Sequence, residues 1–129
     1  MSKYTKEQVD DILCKVEKSM GHVPLVNRVL SENPDIFMPT FQTGNVLMKP
    51  QADAMELDSK TRYLVALSAS AALGGEYCIR LQMRNALRAG ATREEILEVL
   101  TISSYMCMNK SQSYSFRAFR EILDGIEED

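Results

Sequence analysis

The chain has 129 residues, of which 45% are hydrophobic and 26% are charged, as in an ordinary soluble globular domain. Its net charge of −3 argues against binding to nucleic acid through a basic surface. No apolar run approaches the roughly 20 residues that cross a bilayer, and the polar N-terminus has no signal or transit pattern. We therefore expect a cytoplasmic protein with neither a nucleic-acid nor a membrane partner.

Helical signals recur along the whole chain, and no stretch alternates as a half-buried strand does. Capping-box patterns begin two of the helices, and the glycines at 21, 74–75 and 90 end three of them. The predicted helices begin at Thr5, Pro24, about residue 36, Asp58, Glu76, Thr92 and about Gln112. The small residues of "ALSASAAL" predict a fourth helix packed closely on several sides. The expected fold is an all-α, single-domain bundle of six to seven helices.

The chain offers few residues for a metal site, a disulfide framework or a triad. It has three cysteines (Cys14, Cys78 and Cys107) and one histidine, His22. An odd cysteine count in a reducing compartment argues against disulfides. With no Cys-x-x-Cys pair, we predict neither a metal nor another cofactor. His22 lies in the loop-like "GHVPL", which does not favour a Ser-His-Asp arrangement.

One long segment carries a resemblance to a known family. "LDSKTRYLVALSASAALGGEYCIRLQMRNALRAGATREEILEVL" resembles the core of the carboxymuconolactone decarboxylase family, which includes the alkyl hydroperoxidase D-like proteins. The upstream "GHVPLVNRVLSENPDIF" resembles the family's lead-in. The resemblance implies one domain over 1–129, with its core at about 20–122 and an acidic tail at 124–129. It also implies a homo-oligomer, often trimeric or hexameric, with a site near subunit contacts.

The active-site pattern of the family is degenerate in this chain. In the peroxidase-like branch, a glutamate precedes a Cys-x-x-Cys pair, and a histidine follows four residues after the second cysteine. These positions fall on Tyr63, Gly75, Cys78 and Gln82, so one of the four residues is kept. The decarboxylase branch generally lacks the cysteine pair but keeps the histidine, which is again Gln82 here. The resemblance therefore supports the fold more strongly than either activity.

A two-cysteine cycle needs an attacking thiolate, a resolving thiol and a base. Gly75 has no thiol, which excludes a cycle between Cys78 and residue 75. Gln82 lies one turn beyond Cys78 on the same helical face, and its amide donates hydrogen bonds but takes no proton near pH 7. Cys78 nevertheless falls in a first helical turn, where unpaired backbone N–H groups favour a thiolate. Cys78 is therefore the candidate nucleophile.

Other residues are predicted to assist Cys78. Arg80 and Arg84 are close in sequence, and the resolving thiol would be Cys107, a thiol of another subunit or a small thiol. The alternative is that Cys78 is a buried core residue, as free cysteines often are. Cys14 lies off the apolar stripe of its helix and has no predicted role.

Two tyrosines could complete a pocket around Cys78. Tyr63 stands where the family has an acid, and a phenol with an unperturbed pKa near 10 is a donor at pH 7. Tyr105 falls where decarboxylase relatives often have a tyrosine. With Cys78 and Gln82 these residues would line a partly polar pocket for a small organic ligand. The alternative is that each one caps or fills the core.

Two charged stripes follow Cys78. Arg80, Arg84 and Arg88 are spaced four apart, and the next helix carries Glu94, Glu95 and Glu98. The stripes predict solvated faces or salt bridges, or else an anion site between subunits.

Three functions remain open from the sequence. The first is a small-molecule or thiol-dependent redox enzyme, peroxidase-like and antioxidant, with a one-cysteine site. The second is a non-catalytic oligomer that binds a small ligand or a partner. The third is a decarboxylase- or isomerase-like enzyme acting on a lactone or related acid, although no residue near Cys78 in sequence is a base at neutral pH.

Overall fold

The computed structural model describes residues 1–49 and 55–127, and all regular structure in these ranges is helical. The helices are α1 (Lys6–Met20), α2 (Leu25–Leu30), α3 (Pro34–Met48), α4 (Ser59–Leu73), α5 (Glu76–Arg88) and α6 (Arg93–Phe119), and one π-helical turn (Arg120–Asp124) follows α6. The predicted all-α class and helix number are confirmed. Most of the predicted "KPQADAMEL" connector and the last two tail residues lie outside the described residues.

The chain divides into two compact units, Met1–Ala54 and Met55–Asp129. The single domain expected over 1–129 stays a prediction. Across the two described ranges, no helix combines the length and the apolar character needed to span a membrane.

The predicted capping residues begin their helices as expected. Thr5 and Gln8 form the reciprocal capping box of α1, and Thr92 and Glu95 form that of α6. The Asp58 carboxylate accepts a hydrogen bond from the backbone N–H of the third residue of α4 at 2.8 Å. Each cap satisfies backbone donors that the first helical turn leaves unpaired. Local sequence therefore fixes where these three helices begin.

The first unit has a small aromatic and aliphatic core. Val9 of α1 packs with Phe37 and Met38 of α3, and the Phe41 ring lies 5.9 Å from that of Phe37. On α3, Phe41 follows Phe37 by four residues and Met38 by three, so one face of this helix supplies the contact.

In the second unit, α4 and α6 run parallel and in register. Three contacts join them, each between residues 35 positions apart: Lys60–Glu95, Ser68–Ser103 and Ala72–Cys107. Because the offset stays constant along the chain, the two helices advance side by side in the same direction. α5 follows α4 after two glycines and packs along it, so α5 runs in the opposite direction.

The core of the second unit is formed on the sides of α4 that face α5 and α6. Leu67 is completely buried there, with Tyr63, Ala86 and Ile96 also buried. The expectation that α4 is packed on several sides is wrong for the single chain, because Ala69, among other residues, is exposed. Two neighbouring helices cover only part of its surface.

The C-terminal helix differs from the sequence prediction. We expected a separate helix from about Gln112, but α6 continues without a break from Arg93 to Phe119. The polar stretch at 109–113 contains no glycine or proline, so nothing in it stops a helix. The register with α4 sets residue 108 beside Leu73, the last residue of α4. The rest of α6 extends about 16 Å beyond α4, and its residues are exposed apart from Asn109.

Leu67→Ala should lower the free energy of unfolding by about 2–5 kcal/mol, since it leaves a cavity at a completely buried site. Leu73→Ala is the matched control on the same helix, because Leu73 is 87% exposed. Its effect should stay within about 0.5 kcal/mol. Chemical denaturation of the two variants measures both values, and equal losses would contradict this packing.

Glu95→Gln should reveal the charge pair between α4 and α6. The pKa of Glu95 is lowered by the backbone hydrogen bond from Thr92 and then by the bond from Lys60. A carboxyl with a lowered folded pKa adds stability above its unfolded pKa and loses it as the pH falls through the folded pKa. Glutamine keeps the capping box but has no charge. We expect the Tm at pH 7 to fall by roughly 1–3 °C.

The Tm difference should be smaller at pH 3 than at pH 7, because the charge of Glu95 contributes progressively less stability once the pH falls below the ordinary pKa of an unfolded glutamate. Thermal unfolding followed by circular dichroism at both pH values tests this. Lys60→Gln should lower the Tm at pH 7 by a similar amount and add little to the Glu95→Gln effect, since each change removes the same pair. A Tm difference that persists unchanged at pH 3 would show that Glu95→Gln weakens the capping box of α6 and not the ion pair.

Candidate functional site

The two glycines between α4 and α5 form the corner that positions the candidate nucleophile. Gly74 ends α4 in the left-handed conformation, with φ of 76°, which glycine adopts without steric cost. Gly75 is the N-cap of α5 and offers no side chain to accept a hydrogen bond from the helix. The first-turn N–H groups of α5 therefore lack the capping oxygen that begins α1, α4 and α6.

Cys78 lies in this first turn and is exposed. The alternative that it is a buried core cysteine is therefore wrong for the single chain. Cys14 and Cys107 are also exposed, and all three thiols are free. Exposure gives a small reagent access to the Cys78 sulfur, which any thiol chemistry requires.

Cys107 lies at the same end of the second unit as Cys78. Its Sγ is 4.0 Å from the backbone carbonyl oxygen of Ala72, near the end of α4. Cys78 is about 5 Å along α5 from the Gly75 corner. The structure thus places the candidate nucleophile and the candidate resolving thiol at one end of the α4–α6 bundle. Whether Cys107 resolves an oxidised Cys78 stays a prediction.

Tyr63 and Gln82 lie deeper in the bundle than Cys78. Tyr63 is buried on α4, and Gln82 is half-buried on α5 with its Oε1 accepting a hydrogen bond from Asn85 Nδ2 at 3.5 Å. At 1.5 Å per residue, Tyr63 is about 16 Å and Gln82 about 10 Å from the corner. The two residues therefore differ by about 6 Å along the bundle axis, whereas Tyr63 and Cys78 differ by about 12 Å.

Tyr105 lies away from the other predicted pocket residues in the single chain. Ser103, two residues earlier, donates its hydroxyl to the Ser68 carbonyl of α4. Two residues correspond to about 200° around a helix, so Tyr105 projects from the face opposite α4. It is 57% exposed. Its predicted contact with a ligand in this pocket stays a prediction.

One residue of the arginine stripe, Arg80, forms an ion pair on its own helix. Arg80 Nη2 lies 2.8 Å from Glu76 Oε1 one turn earlier, and both side chains are largely exposed. Arg84 and Arg88 are exposed as well. Glu95 pairs with Lys60 of α4 at 2.9 Å and not with the stripe. These contacts agree with the prediction that the charged residues form solvent-exposed faces or salt bridges. Sequence spacing could not reveal the Lys60 contact, because it depends on the register of α4 with α6.

A cleft in the first unit was not predicted from the sequence. It has a volume of about 230 Å³. Its walls come from α2 and α3 and are mostly apolar: Val26, Asn27, Leu30, Phe37, Thr40, Phe41, Gly44 and Asn45. The space lies between α2 and α3, and no local sequence pattern encodes how these two helices pack. Within residues 1–49 and 55–127, no group of three or more His, Cys, Asp or Glu side chains is placed to hold a metal ion.

The fold and the site define a class of all-helical protein in which a glycine corner presents a cysteine in the first turn of a helix. A comparison with known families agrees, since the model described as the carboxymuconolactone decarboxylase family matches residues 39–121. The chain belongs to the carboxymuconolactone decarboxylase family. Searches among curated proteins and among solved structures find no significant match.

The distance between residues 75 and 78 can be tested by introducing a cysteine at residue 75. A Cβ placed at Gly75 would lie 3.6 Å from Cys78 Cβ, within the range of about 3.5–4.5 Å found in disulfides. Gly75→Cys should therefore form a disulfide with Cys78 under mild oxidation, with the loss of two free thiols per chain. Thiol titration and peptide mass spectrometry measure this result.

Gly44→Cys is the control for this experiment, because nothing lies within 4 Å of a Cβ at that position. The introduced thiol should stay free under the same oxidation. Free thiols at both residue 75 and residue 78 would show that the corner does not hold them at bonding distance.

Proposed function

We propose that this family member is a thiol-dependent, peroxidase-like redox enzyme that uses Cys78 as its one nucleophile. The exposed position of Cys78 in the uncapped first turn of α5 carries the proposal. Backbone N–H groups there can donate to a thiolate, because no capping side chain occupies them. Arg80 neutralises the nearby Glu76 carboxylate, which would otherwise oppose a negative sulfur.

In the proposed cycle, the Cys78 thiolate attacks one oxygen of a hydroperoxide. A sulfur–oxygen bond forms, the oxygen–oxygen bond breaks, and the departing oxygen takes a proton and leaves as an alcohol or water. This step oxidises Cys78 to a sulfenic acid. A small thiol then forms a mixed disulfide with Cys78 and releases water, and a second small thiol displaces it as a disulfide. Two thiols are oxidised for each peroxide reduced.

Gln82 and Tyr63 have supporting roles in this proposal. Gln82 lies one turn beyond Cys78 on the same face of α5, and its amide N–H₂ can donate to the departing oxygen. No carboxylate or imidazole stands at either position, so the reaction depends on the thiolate that forms at Cys78 itself. Cys107 at the same end of the bundle is the candidate intrachain resolving thiol.

A second candidate is a non-catalytic oligomer that binds a small ligand or partner. The observation that favours it is the amide of Gln82 and the buried phenol of Tyr63 at the family's base and acid positions. Both groups can donate and accept hydrogen bonds, as the binding of a small polar ligand requires. Among residues 1–49 and 55–127, no contact supports the decarboxylase- or isomerase-like alternative, which is not proposed.

Thiol reactivity separates the two candidates. Cys78 should react with a thiol probe below pH 7 at least about tenfold faster than a cysteine in the unfolded chain, and peroxide should protect it. Cys78→Ser should abolish thiol-dependent peroxide consumption. Cys14→Ser is the matched control and should leave the rate unchanged, since Cys14 lies on α1 in the first unit.

Cys107→Ser tests the resolving step. If Cys107 resolves the sulfenic acid, this variant should accumulate oxidised Cys78 until a small thiol is added, as mass spectrometry would show. Resolution by a small thiol alone predicts the same turnover in the wild-type and Cys107→Ser proteins. A Cys78 that reacts no faster than an unfolded cysteine would exclude the redox function and leave the binding protein.

A further inference from the structure

The cleft between α2 and α3 has a glycine in its wall that the helix itself does not need. Gly44 lies inside α3 in the ordinary right-handed conformation, so its backbone does not require glycine. A Cβ at this position would meet nothing within 4 Å, so close packing does not require glycine either. Glycine is also a poor helix former compared with alanine. What its missing side chain preserves is the open space of the cleft that it lines.

The apolar walls of the cleft suit a flat ring. On the α3 side, the ring of Phe37 is buried, and that of Phe41 lies 5.9 Å from it at an interplanar angle of 32°. Val26 and Leu30 line the α2 side. An aromatic ligand between these walls would contact both aromatic edges and branched aliphatic side chains.

The size of the cleft limits its occupant to a small molecule. Its volume is about 230 Å³. A dry apolar cavity of about 150 Å³ in another protein holds one benzene molecule. The cleft therefore has room for one six-membered ring with a short substituent. A helix with its side chains, about 10–12 Å across, is too large to enter it.

Two carboxamides in the cleft have unused hydrogen-bonding capacity. Asn27 and Asn45 line the cleft and are half-buried. Their backbone carbonyls accept hydrogen bonds from the N–H groups of Ser31 and Lys49. Neither side-chain amide is hydrogen-bonded to any residue within 1–49 and 55–127. A carboxamide both donates and accepts, so a hydroxyl group on a ligand matches it in either role.

We propose that the α2–α3 cleft binds a small neutral molecule with one six-membered ring and one hydroxyl group, that is, a simple phenol or a related cyclic alcohol. The ring would contact the two phenylalanines, and the hydroxyl would hydrogen-bond to Asn27 or Asn45. The ligand is neutral because none of the described residues that line the cleft is charged, and an unpaired charge is costly to desolvate. The site shares no residue with the Cys78 site and is independent of the proposed redox function.

Nuclear magnetic resonance of the full chain, titrated with phenol, tests the proposal. Phenol should cause saturable shifts in the methyl signals of Val26 and Leu30 and in the side-chain amide signals of Asn27 and Asn45. Toluene should bind about two- to tenfold more weakly, because it has the ring without the hydrogen bond. Benzoate should bind at least about tenfold more weakly than phenol, because its carboxylate would lie unpaired in the cleft.

Gly44→Leu should lower the affinity for phenol at least about tenfold, because the leucine side chain would occupy the space of the ligand. This variant should fold, since leucine is a better helix former than glycine. Gln42→Leu is the matched control, because Gln42 is exposed on the same helix and is not among the described residues that line the cleft. Asn45→Leu combined with Asn27→Leu should weaken phenol binding and remove the preference for phenol over toluene.

Three results would overturn the proposal: no saturable shift with phenol, binding that persists in Gly44→Leu, or an equal loss of binding in Gln42→Leu. The cleft could instead hold a side chain of a second copy. Light scattering would then give a lower mass for Gly44→Leu than for the wild-type protein, and phenol would not bind. Cys78 reactivity should persist in all of these variants, so the failure of this proposal would be distinguishable from the failure of the redox function.

Discussion

The parallel register of α4 with α6 is the constraint on which the second unit depends. Three contacts with one constant offset hold it, from the Lys60–Glu95 ion pair at one end to the Cys107 contact at the other. Two adjacent helices can run parallel only if the chain returns between them, and α5 provides that return. The register therefore determines the positions of the glycine corner, the buried Leu67 and the point at which α6 leaves its neighbours.

The same helix register explains where the candidate site residues lie in the second unit. Because α4 ends beside residue 108 of α6, the corner brings Cys78 to the end of the bundle where Cys107 lies. Tyr63 and Gln82, the other two predicted site residues, are farther in, as a buried phenol and a half-buried amide. A thiol at an open end and hydrogen-bonding groups in the interior are consistent with the proposed reaction, in which the Cys78 sulfur supplies the electrons.

Local signals predicted most of the fold, whereas contacts between helices could not be predicted. Thr5, Asp58 and Thr92 begin their helices through hydrogen bonds within four residues, so the sequence alone identifies them. The Lys60–Glu95 pair and the exposure of Cys78 depend on helix register and on which sides of a helix remain open. The break expected before Gln112 was wrong, because polar residues without glycine or proline do not end a helix.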